Sequence, residues 1–248
     1  MIHRDDPPIL GYFVGNELAF DGRESEVVDM ILAGTVTATA TQNKLKEFLA
    51  QGDNPKRRKE FVIIAFEKYL DLTCSAIKKY DPNHLPLGIR FGGSILDELL
   101  RIARILDVCS VNVYEYEPMC QLERVYCYTG PSILIGEFHI GVQANGLGAG
   151  LVQAKDQTES GITYRYYLEQ AASLSYFLGA YWFQWRDEPV MGHDDGKNYN
   201  IGFVDVNDRP YKELSEVAKM TNKGLFNVHA GSVIPFNQRP KASDAVTL

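Results

Sequence analysis

Short apolar runs alternate with longer amphipathic segments along most of the chain, and this alternation predicts the fold class. Five runs are typical of buried strands, at residues 9–14, 85–91, 108–116, 132–140 and 178–185. Segments with helical periodicity lie at about 25–51, 60–80, 95–106, 119–128, 164–176 and 211–221. Strands that alternate with helices pair in parallel and are covered on both faces. The sequence therefore predicts an α/β fold.

Each predicted strand ends in polar or aromatic residues, and this decides between two α/β architectures. These residues are Asn16 and Glu17, then Arg90, then Asn112, Tyr114 and Tyr116, then Glu137 and His139, and finally Gln184 and Asp187. A barrel gathers all its strand ends around one mouth, whereas an open sheet concentrates ligands at a single switch point. We therefore favour a fold of the (β/α)8 TIM-barrel type over an open doubly wound sheet.

Two of these strand-end residues are glutamates that suit glycoside hydrolysis. Glu17 and Glu137 are 120 residues apart, or about three βα units, so a barrel would place them nearly opposite each other. A retaining glycosidase needs two carboxyl groups ~5–5.5 Å apart, one protonated to donate to the leaving oxygen and one ionised to attack the anomeric carbon. We interpret Glu17 as the acid/base and Glu137 as the nucleophile.

Neighbouring residues suit the same chemistry. Asn16 can bind the 2-hydroxyl of the sugar, and Tyr114 can donate a hydrogen bond that keeps Glu137 ionised. Trp182 can form the floor under the reacting sugar. For His139, a structural role stays open beside orienting Glu137 or touching the substrate. This chemistry requires no metal and no organic cofactor.

Composition and charge limit the classes of partner that the chain is expected to bind. The net charge is −7, and the one basic run, residues 56–59, stands at the start of a predicted helix, which argues against a nucleic-acid partner. No stretch approaches the ~18 apolar residues of a membrane span. The four cysteines show no metal-ligand spacing, so we expect buried thiols, with a Cys120–Cys127 disulfide as the alternative.

The two glutamate motifs resemble a known enzyme family. Residues 11–17, Gly-Tyr-Phe-Val-Gly-Asn-Glu, look like the strand-four acid/base motif of the large clan of retaining (β/α)8 glycosidases. Residues 134–139, Leu-Ile-Gly-Glu-Phe-His, look like its strand-seven nucleophile motif. Residues 181–189 with 196–205 resemble the β-agarases of glycoside hydrolase family fifty. The sequence departs from the family pattern at Tyr181 and Lys197. These two differences affect the expected substrate more than the expected chemistry.

The resemblance implies a function and an incomplete barrel. It implies a retaining glycosidase that cleaves β-galactosidic linkages in an agar-type galactan, with Trp182 and the loop 184–200 lining the cleft. If Glu17 ends strand four, the chain carries strands four to eight only. We then expect residues 1–222 to be the C-terminal part of the catalytic domain and residues 223–248 to be a tail. A missing N-terminal segment or self-association would complete the fold, and the resemblance implies an extracellular or periplasmic parent enzyme.

Three alternatives stay open. A β-galactosidase of the same clan would keep the catalytic pair and differ in its cleft. A catalytically inactive carbohydrate-binding fragment would keep the motifs without a working site. A nucleotide-binding α/β protein is the weakest reading, because the glycine-rich residues 146–150 do not form a GxGxxG between a strand and a helix.

Overall fold

The chain folds into alternating strands and helices, as the sequence predicts. The structure, a computed structural model, describes residues 5–18, 22–34, 39–193 and 195–240. Its elements are β1 (Gly11–Phe13), α1 (Glu24–Leu32), α2 (Thr39–Leu49), α3 (Pro55–Tyr80), β2 (Leu85–Gly88), α4 (Asp97–Ile102), a 3₁₀ turn (Ala103–Ile105), β3 (Val108–Asn112), α5 (Met119–Thr129), β4 (Ser132–Phe138), β5 (Gly141–Val142), β6 (Gln153–Ala154), α6 (Gln157–Ala172), β7 (Phe177–Trp182) and α7 (Lys212–His229).

The strands form three small sheets. β1 pairs with β2 in parallel, β3, β4 and β7 form a three-stranded sheet in that order, and β5 pairs with β6. The five strands that the sequence predicts are therefore present, and the α/β class is confirmed. Within the described ranges the strands do not form a closed barrel.

The chain divides into two compact units. The first contains the residues up to Cys109 together with Tyr128–Pro131, and the second contains Ser110–Cys127 and the residues from Ser132 onward. In the second unit α7 runs from Lys212 to His229, five turns of amphipathic helix that pack on α6.

The core of the first unit forms around α3. Asn54 caps this helix by accepting a hydrogen bond from the backbone N–H of Arg57, and Pro55 occupies the first turn, where no N–H is needed. Its apolar face buries Phe61 and Val62 against residues of α1 and α2, including Val28 and Leu45. This helix begins five residues earlier than the periodicity alone predicts, because the basic residues 56–59 of its first turns contribute nothing to the apolar periodicity.

The core of the second unit lies between the β3–β4–β7 sheet and α6. The ring of Phe138 on β4 stacks on Tyr167 of α6 with centroids 4.5 Å apart, and the Tyr167 hydroxyl donates to the carbonyl of Val113. Gly161 lets α7 approach α6, since a Cβ there would lie 3.3 Å from the Glu213 carbonyl and Val217. These contacts fix the helix layer on one face of the sheet.

The segment after α7 is held against α6 rather than loosely attached. The backbone N–H of Phe236 donates to the buried carboxylate of Glu169, and Gln170 donates to the Phe236 carbonyl. The guanidinium of Arg165 lies over the Phe236 ring, 4.4 Å from its centre. Residues 230–240 are therefore part of the second unit, and residues 241–248 of the predicted tail lie outside the described residues.

The cysteines only partly match expectation. No disulfide joins them, and Cys74 and Cys109 are buried as predicted, but Cys120 and Cys127 on α5 are exposed. Burial raises the pKa of the Cys109 thiol to about 12. In the part of the chain that the structure describes, no helix is both long enough and apolar enough to cross a membrane.

A buried hydrogen-bond network ties residues 5–9 to the start of β2. Nδ1 of His84 lies 2.8 Å from a carboxylate oxygen of Asp81, and Nε2 lies 3.1 Å from the carbonyl of Asp6. Tyr12 donates to the other carboxylate oxygen of Asp81 at 2.6 Å. Both partners of the imidazole only accept hydrogen bonds, so both ring nitrogens carry protons. The Asp6 carbonyl first, and then the Asp81 carboxylate, raise the pKa of His84.

This network predicts a loss of stability on the alkaline side. A pKa that is higher in the folded protein contributes stability that is complete below the unfolded pKa of about 6.5 and is lost as pH rises through the folded pKa. The melting temperature, followed by circular dichroism from pH 6 upward, should therefore fall more in the unaltered protein than in His84→Gln. Equal pH dependence in the two proteins would contradict this charged network.

Candidate active site

Glu137 is a buried carboxylate near the carboxyl end of β4, with a phenol as its neighbour. Its exposed fraction is 8%. One carboxylate oxygen accepts a hydrogen bond from the Tyr114 hydroxyl at 2.7 Å. The sequence analysis predicted that Tyr114 donates this hydrogen bond to Glu137.

The pairing of β3 with β4 sets this geometry. The backbone N–H of Val113, just past the end of β3, donates to the Glu137 carbonyl at 2.9 Å. Side chains alternate between the faces of a strand, so Phe138 points to α6 while Glu137 points to the opposite face. Asn112, the last residue of β3, is buried. The strand ends thus bring Asn112, Tyr114 and Glu137 together in one region.

His139 fixes the glycine-rich loop beside this pair. Its Nε2 accepts a hydrogen bond from the backbone N–H of Leu151 at 2.9 Å, and its ring lies 4.8 Å from that of Tyr114. Gly150 permits this approach, because a Cβ there would lie 2.6 Å from the histidine Nε2. Burial lowers the pKa of His139 to about 4, against a smaller raising effect of the Phe183 backbone. The imidazole is therefore neutral at pH 7.

Trp182 lies in an aromatic cluster rather than alone over a cleft. Its ring is 5.2 Å from that of Phe138, 5.6 Å from Tyr164 and 5.1 Å from Phe203. Its indole N–H donates to the Ile201 carbonyl at 2.7 Å. The side chain is half-buried, so its predicted role as the floor under a sugar stays a prediction.

Asp187 organises the loop that follows β7. One carboxylate oxygen accepts from the backbone N–H of Gly202 at 2.8 Å and the other from the Tyr211 hydroxyl at 2.6 Å. Burial raises the pKa of Asp187, although the hydrogen bonds from Tyr211 and the backbone oppose it. Because both oxygens have protein partners, the observed role of Asp187 is to hold the loop, and its predicted contact with substrate stays untested. Gln184, two residues past β7, is half-buried.

The remaining predicted site residues lie in the first unit. The backbone N–H of Glu17, after β1, lies within hydrogen-bonding distance of the carbonyls of Ile89 and Arg90, so the ends of β1 and β2 are joined. The Glu17 carboxylate lies against Gly92, where a Cβ would come within 2.4 Å of Oε1. The Arg90 guanidinium lies 5.3 Å from the centre of the Phe13 ring. The structure therefore brings Glu17 and Arg90 together at one pair of strand ends.

Glu17 and Asn16 differ from Glu137 in burial, since both are exposed. Glu17 lies four residues past the end of β1 at Phe13 and has a φ of 45°, in the left-handed region of backbone conformations.

Two residues that organise the loop after β7, Glu188 and Asn200, were not singled out from the sequence. Glu188 is buried and accepts from the backbone N–H of Tyr199 at 2.7 Å. Asn200 is buried and donates to the Tyr211 hydroxyl at 2.8 Å. The sequence signal that could have identified Glu188 was the Asp-Glu pair at 187–188, which follows the apolar run 178–185. Such a pair has to find hydrogen-bond partners if it is buried.

The neutral state of His139 predicts an acid-side loss of stability. A pKa depressed from about 6.5 to about 4 contributes stability that is present above pH 6.5 and is lost as pH falls toward 4, by at most roughly 3 kcal/mol. His139→Gln keeps an acceptor for the Leu151 N–H but cannot take up a proton. Urea unfolding between pH 7 and pH 4 should therefore show a smaller loss for His139→Gln than for the unaltered protein, and identical slopes would contradict burial of a neutral imidazole.

Comparisons with known proteins place this geometry in a family. No protein-family model matches the chain. Beta-agarase B of Vibrio sp. (strain JT0107) is 37% identical over 171 residues, which cover 64% of this chain and 17% of the relative. Beta-agarase A of the same strain is 32% identical over 179 residues, covering 67% of this chain and 18% of the relative. The chain thus spans less than a fifth of the length of these curated relatives.

A solved structure agrees with these relatives in fold. The agarase AgWH50C matches 89% of this chain with a TM-score of 0.72 and 29% identity, and the match covers 36% of that chain. The resemblance to the β-agarases of glycoside hydrolase family fifty is confirmed. The chain belongs to the agarase-like glycoside hydrolases of family fifty, and corresponds to a part of the longer enzymes.

Proposed function

We propose that this chain is the nucleophile-bearing part of a retaining glycosidase that cleaves β-galactosidic linkages in an agar-type galactan. The observation that carries the proposal is Glu137, buried at the carboxyl end of β4 and hydrogen-bonded to Tyr114 at 2.7 Å. The beta-agarase names of the Vibrio relatives support galactan as the substrate class.

Double displacement assigns each carboxyl group a task. Glu137 attacks the anomeric carbon while Glu17 protonates the departing oxygen, and Glu17 then deprotonates the water that releases the sugar. The Tyr114 hydroxyl stabilises the negative charge on Glu137 before the attack. Asn16, which precedes Glu17 after β1, and Arg90, which follows the partner strand β2, bind hydroxyls of the sugar.

Both substitutions of the carboxylates should stop turnover without unfolding the protein. Glu137→Gln and Glu17→Gln should each lower kcat on agarose oligosaccharides by several orders of magnitude, because an amide neither attacks carbon nor donates an acidic proton. Release of reducing ends measures the rate, and the melting temperature serves as the folding control. Near-normal rates in both variants would rule out the assignment.

A covalent trap separates the retaining mechanism from an inverting one. A 2-fluoro β-galactoside should leave a glycosyl adduct whose mass is found on the peptide that contains Glu137. Tyr114→Phe should still form the adduct, but more slowly, since the carboxylate loses a single hydrogen bond.

The second part of the proposal is that the barrel is incomplete, and the open edges of the sheets support it. Within the described ranges β7 pairs only with β4 and β1 only with β2. Leu178 and Tyr181 on β7 are about half exposed, at 52% and 50%, and Leu10 before β1 is 48% exposed. Parallel sheets normally bury both faces, and bare edges invite another strand. We therefore assign the chain strands four to eight, with a further segment of the parent enzyme, or a second copy, covering these edges.

Complementation tests this assignment. Hydrolysis by the chain alone should be weak and should rise when the three preceding βα units of an agarase relative are fused upstream. Leu178→Lys should abolish the gain because it places a charge on the β7 edge. Met191→Lys, at a 95% exposed loop position, is the matched control and should keep the gain. A full rate from the monomeric chain, unchanged by the added segment, would favour a self-sufficient enzyme instead.

A further inference from the structure

Trp185 is an exposed tryptophan three residues after one that is packed. The chain has two tryptophans. Trp182 lies in the aromatic cluster of the second unit, whereas 68% of Trp185 is exposed. Leaving an indole in water forgoes the free energy that its burial would provide, and tryptophan is enriched where proteins bind partners. A ligand that covers the ring would account for its exposure.

The backbone that carries this ring is firmly held. The Trp185 carbonyl accepts hydrogen bonds from the N–H groups of Phe203 at 2.8 Å and Val204 at 3.2 Å. The N–H of Asp187 donates to the Val204 carbonyl at 3.0 Å, and the Asp187 carboxylate binds Gly202. Gly202 is required there, because a Cβ would lie 2.4 Å from the Asp187 nitrogen. The indole is thus presented on a fixed backbone, which reduces the entropy lost on binding.

The ring borders a depression of about 400 Å³, a size within the roughly 300–1,000 Å³ of small-molecule sites. Its lining consists of Gln184, Trp185, Arg186, Asp187, Pro189, His193 and Asp208. The amide of Gln184 can both donate and accept hydrogen bonds. An aromatic face beside such groups suits a sugar ring, whose C–H face stacks on the indole while its hydroxyls bind the polar atoms.

The charges around the depression favour a neutral ligand. Arg186 lies 3.9 Å from the carboxylate of Asp208, and Nε2 of His193 lies 4.0 Å from that of Glu188. Each basic side chain therefore already faces an acidic one, so an anion would find little uncompensated positive charge. A neutral galactose or anhydrogalactose unit fits better than a sulfated one.

The depression lies at the same sheet edge as the nucleophile. β7 is hydrogen-bonded to β4, with Phe138 opposite Trp182, and the lining begins two residues past Trp182. We propose that the Trp185 depression is a subsite that binds a neutral sugar unit of the galactan, beyond the two sugar units that share the scissile bond. This proposal rests on the proposed function.

Binding to a catalytically silenced protein tests this subsite. In the Glu137→Gln background, a neutral agarose hexasaccharide is titrated against the protein by calorimetry and by tryptophan fluorescence. Trp185→Ala should raise the dissociation constant about tenfold, the order expected for losing one buried aromatic contact. Trp185→Phe should retain much of the affinity yet lose the part of the fluorescence change that arises at Trp185.

Phe226→Ala is the matched control, because Phe226 on α7 is an aromatic side chain that is 85% exposed. It should bind as the parent does, and melting temperatures confirm that each variant folds. Unchanged affinity in Trp185→Ala, or hexasaccharide binding that leaves the Trp185 emission unaltered, overturns the subsite. A sulfated hexasaccharide that binds more tightly than the neutral one overturns its neutral character.

The outcomes separate this subsite from the hydrolase. Hydrolysis of agarose oligosaccharides with no effect of Trp185→Ala on binding refutes the subsite and leaves the enzyme assignment in place. Binding that depends on Trp185, with neither hydrolysis nor a Glu137 adduct even when the three preceding βα units are fused upstream of the unaltered chain, supports the subsite and refutes the enzyme assignment. Absence of any binding by the Glu137→Gln protein refutes the subsite.

Discussion

A carboxylate that is removed from water has to receive hydrogen bonds or a compensating charge, or it becomes protonated. Glu137 is under this constraint at 8% exposure, and the Tyr114 hydroxyl supplies one such hydrogen bond. Tyr114 can reach it only because the end of β3 is bonded to β4 through Val113 and the Glu137 carbonyl. The pairing of the strands therefore determines whether the buried Glu137 receives its hydrogen bond from Tyr114.

The same constraint shapes the loops around Glu137. Asp187 and Glu188 are buried acids, and each takes its hydrogen bonds from the segment 199–211. The hydrogen bond to Asp187 draws the backbone into a close contact that only glycine permits at Gly202. The hydrogen bond from Leu151 to His139 similarly requires glycine at position 150. The loops at this edge of the sheet are consequently held by buried polar groups, which is what a site that must position a substrate requires.

The sequence predicts the order of the elements well because strands and amphipathic helices have distinct periodicities. α5 is placed almost to the residue. α6 is not: the pattern suggests a start near Tyr164, whereas the helix begins at Gln157. Most of α6 is buried, including Tyr166, Tyr167 and Leu168, so it has no polar face to mark its extent. The overlooked signal is Asp156, whose side chain caps the helix by accepting from the Glu159 N–H, with Glu159 reaching back to the Lys155 N–H.

The sequence predicts those residues of the candidate site that lie at the ends of strands. Glu137, Tyr114 and His139 follow directly from β3 and β4, and they lie together. Asp187 is at the expected strand end, yet the sequence could not reveal that Tyr211 and Gly202, distant in the chain, would occupy both its oxygens. Hydrogen-bond partners that lie in loops produce no periodic pattern in a sequence.

The two proposed catalytic carboxylates are carried by different compact units and differ in burial. Glu137 is enclosed and hydrogen-bonded, whereas Glu17 is exposed on a turn with positive φ. Under double displacement this difference is reasonable, because a nucleophile has to be ionised before substrate arrives. An acid/base has to hold its proton only once a sugar has displaced the surrounding water, since desolvation is what raises the pKa of a carboxyl group. The substrate itself would then complete the environment of Glu17, whereas the fold alone provides that of Glu137.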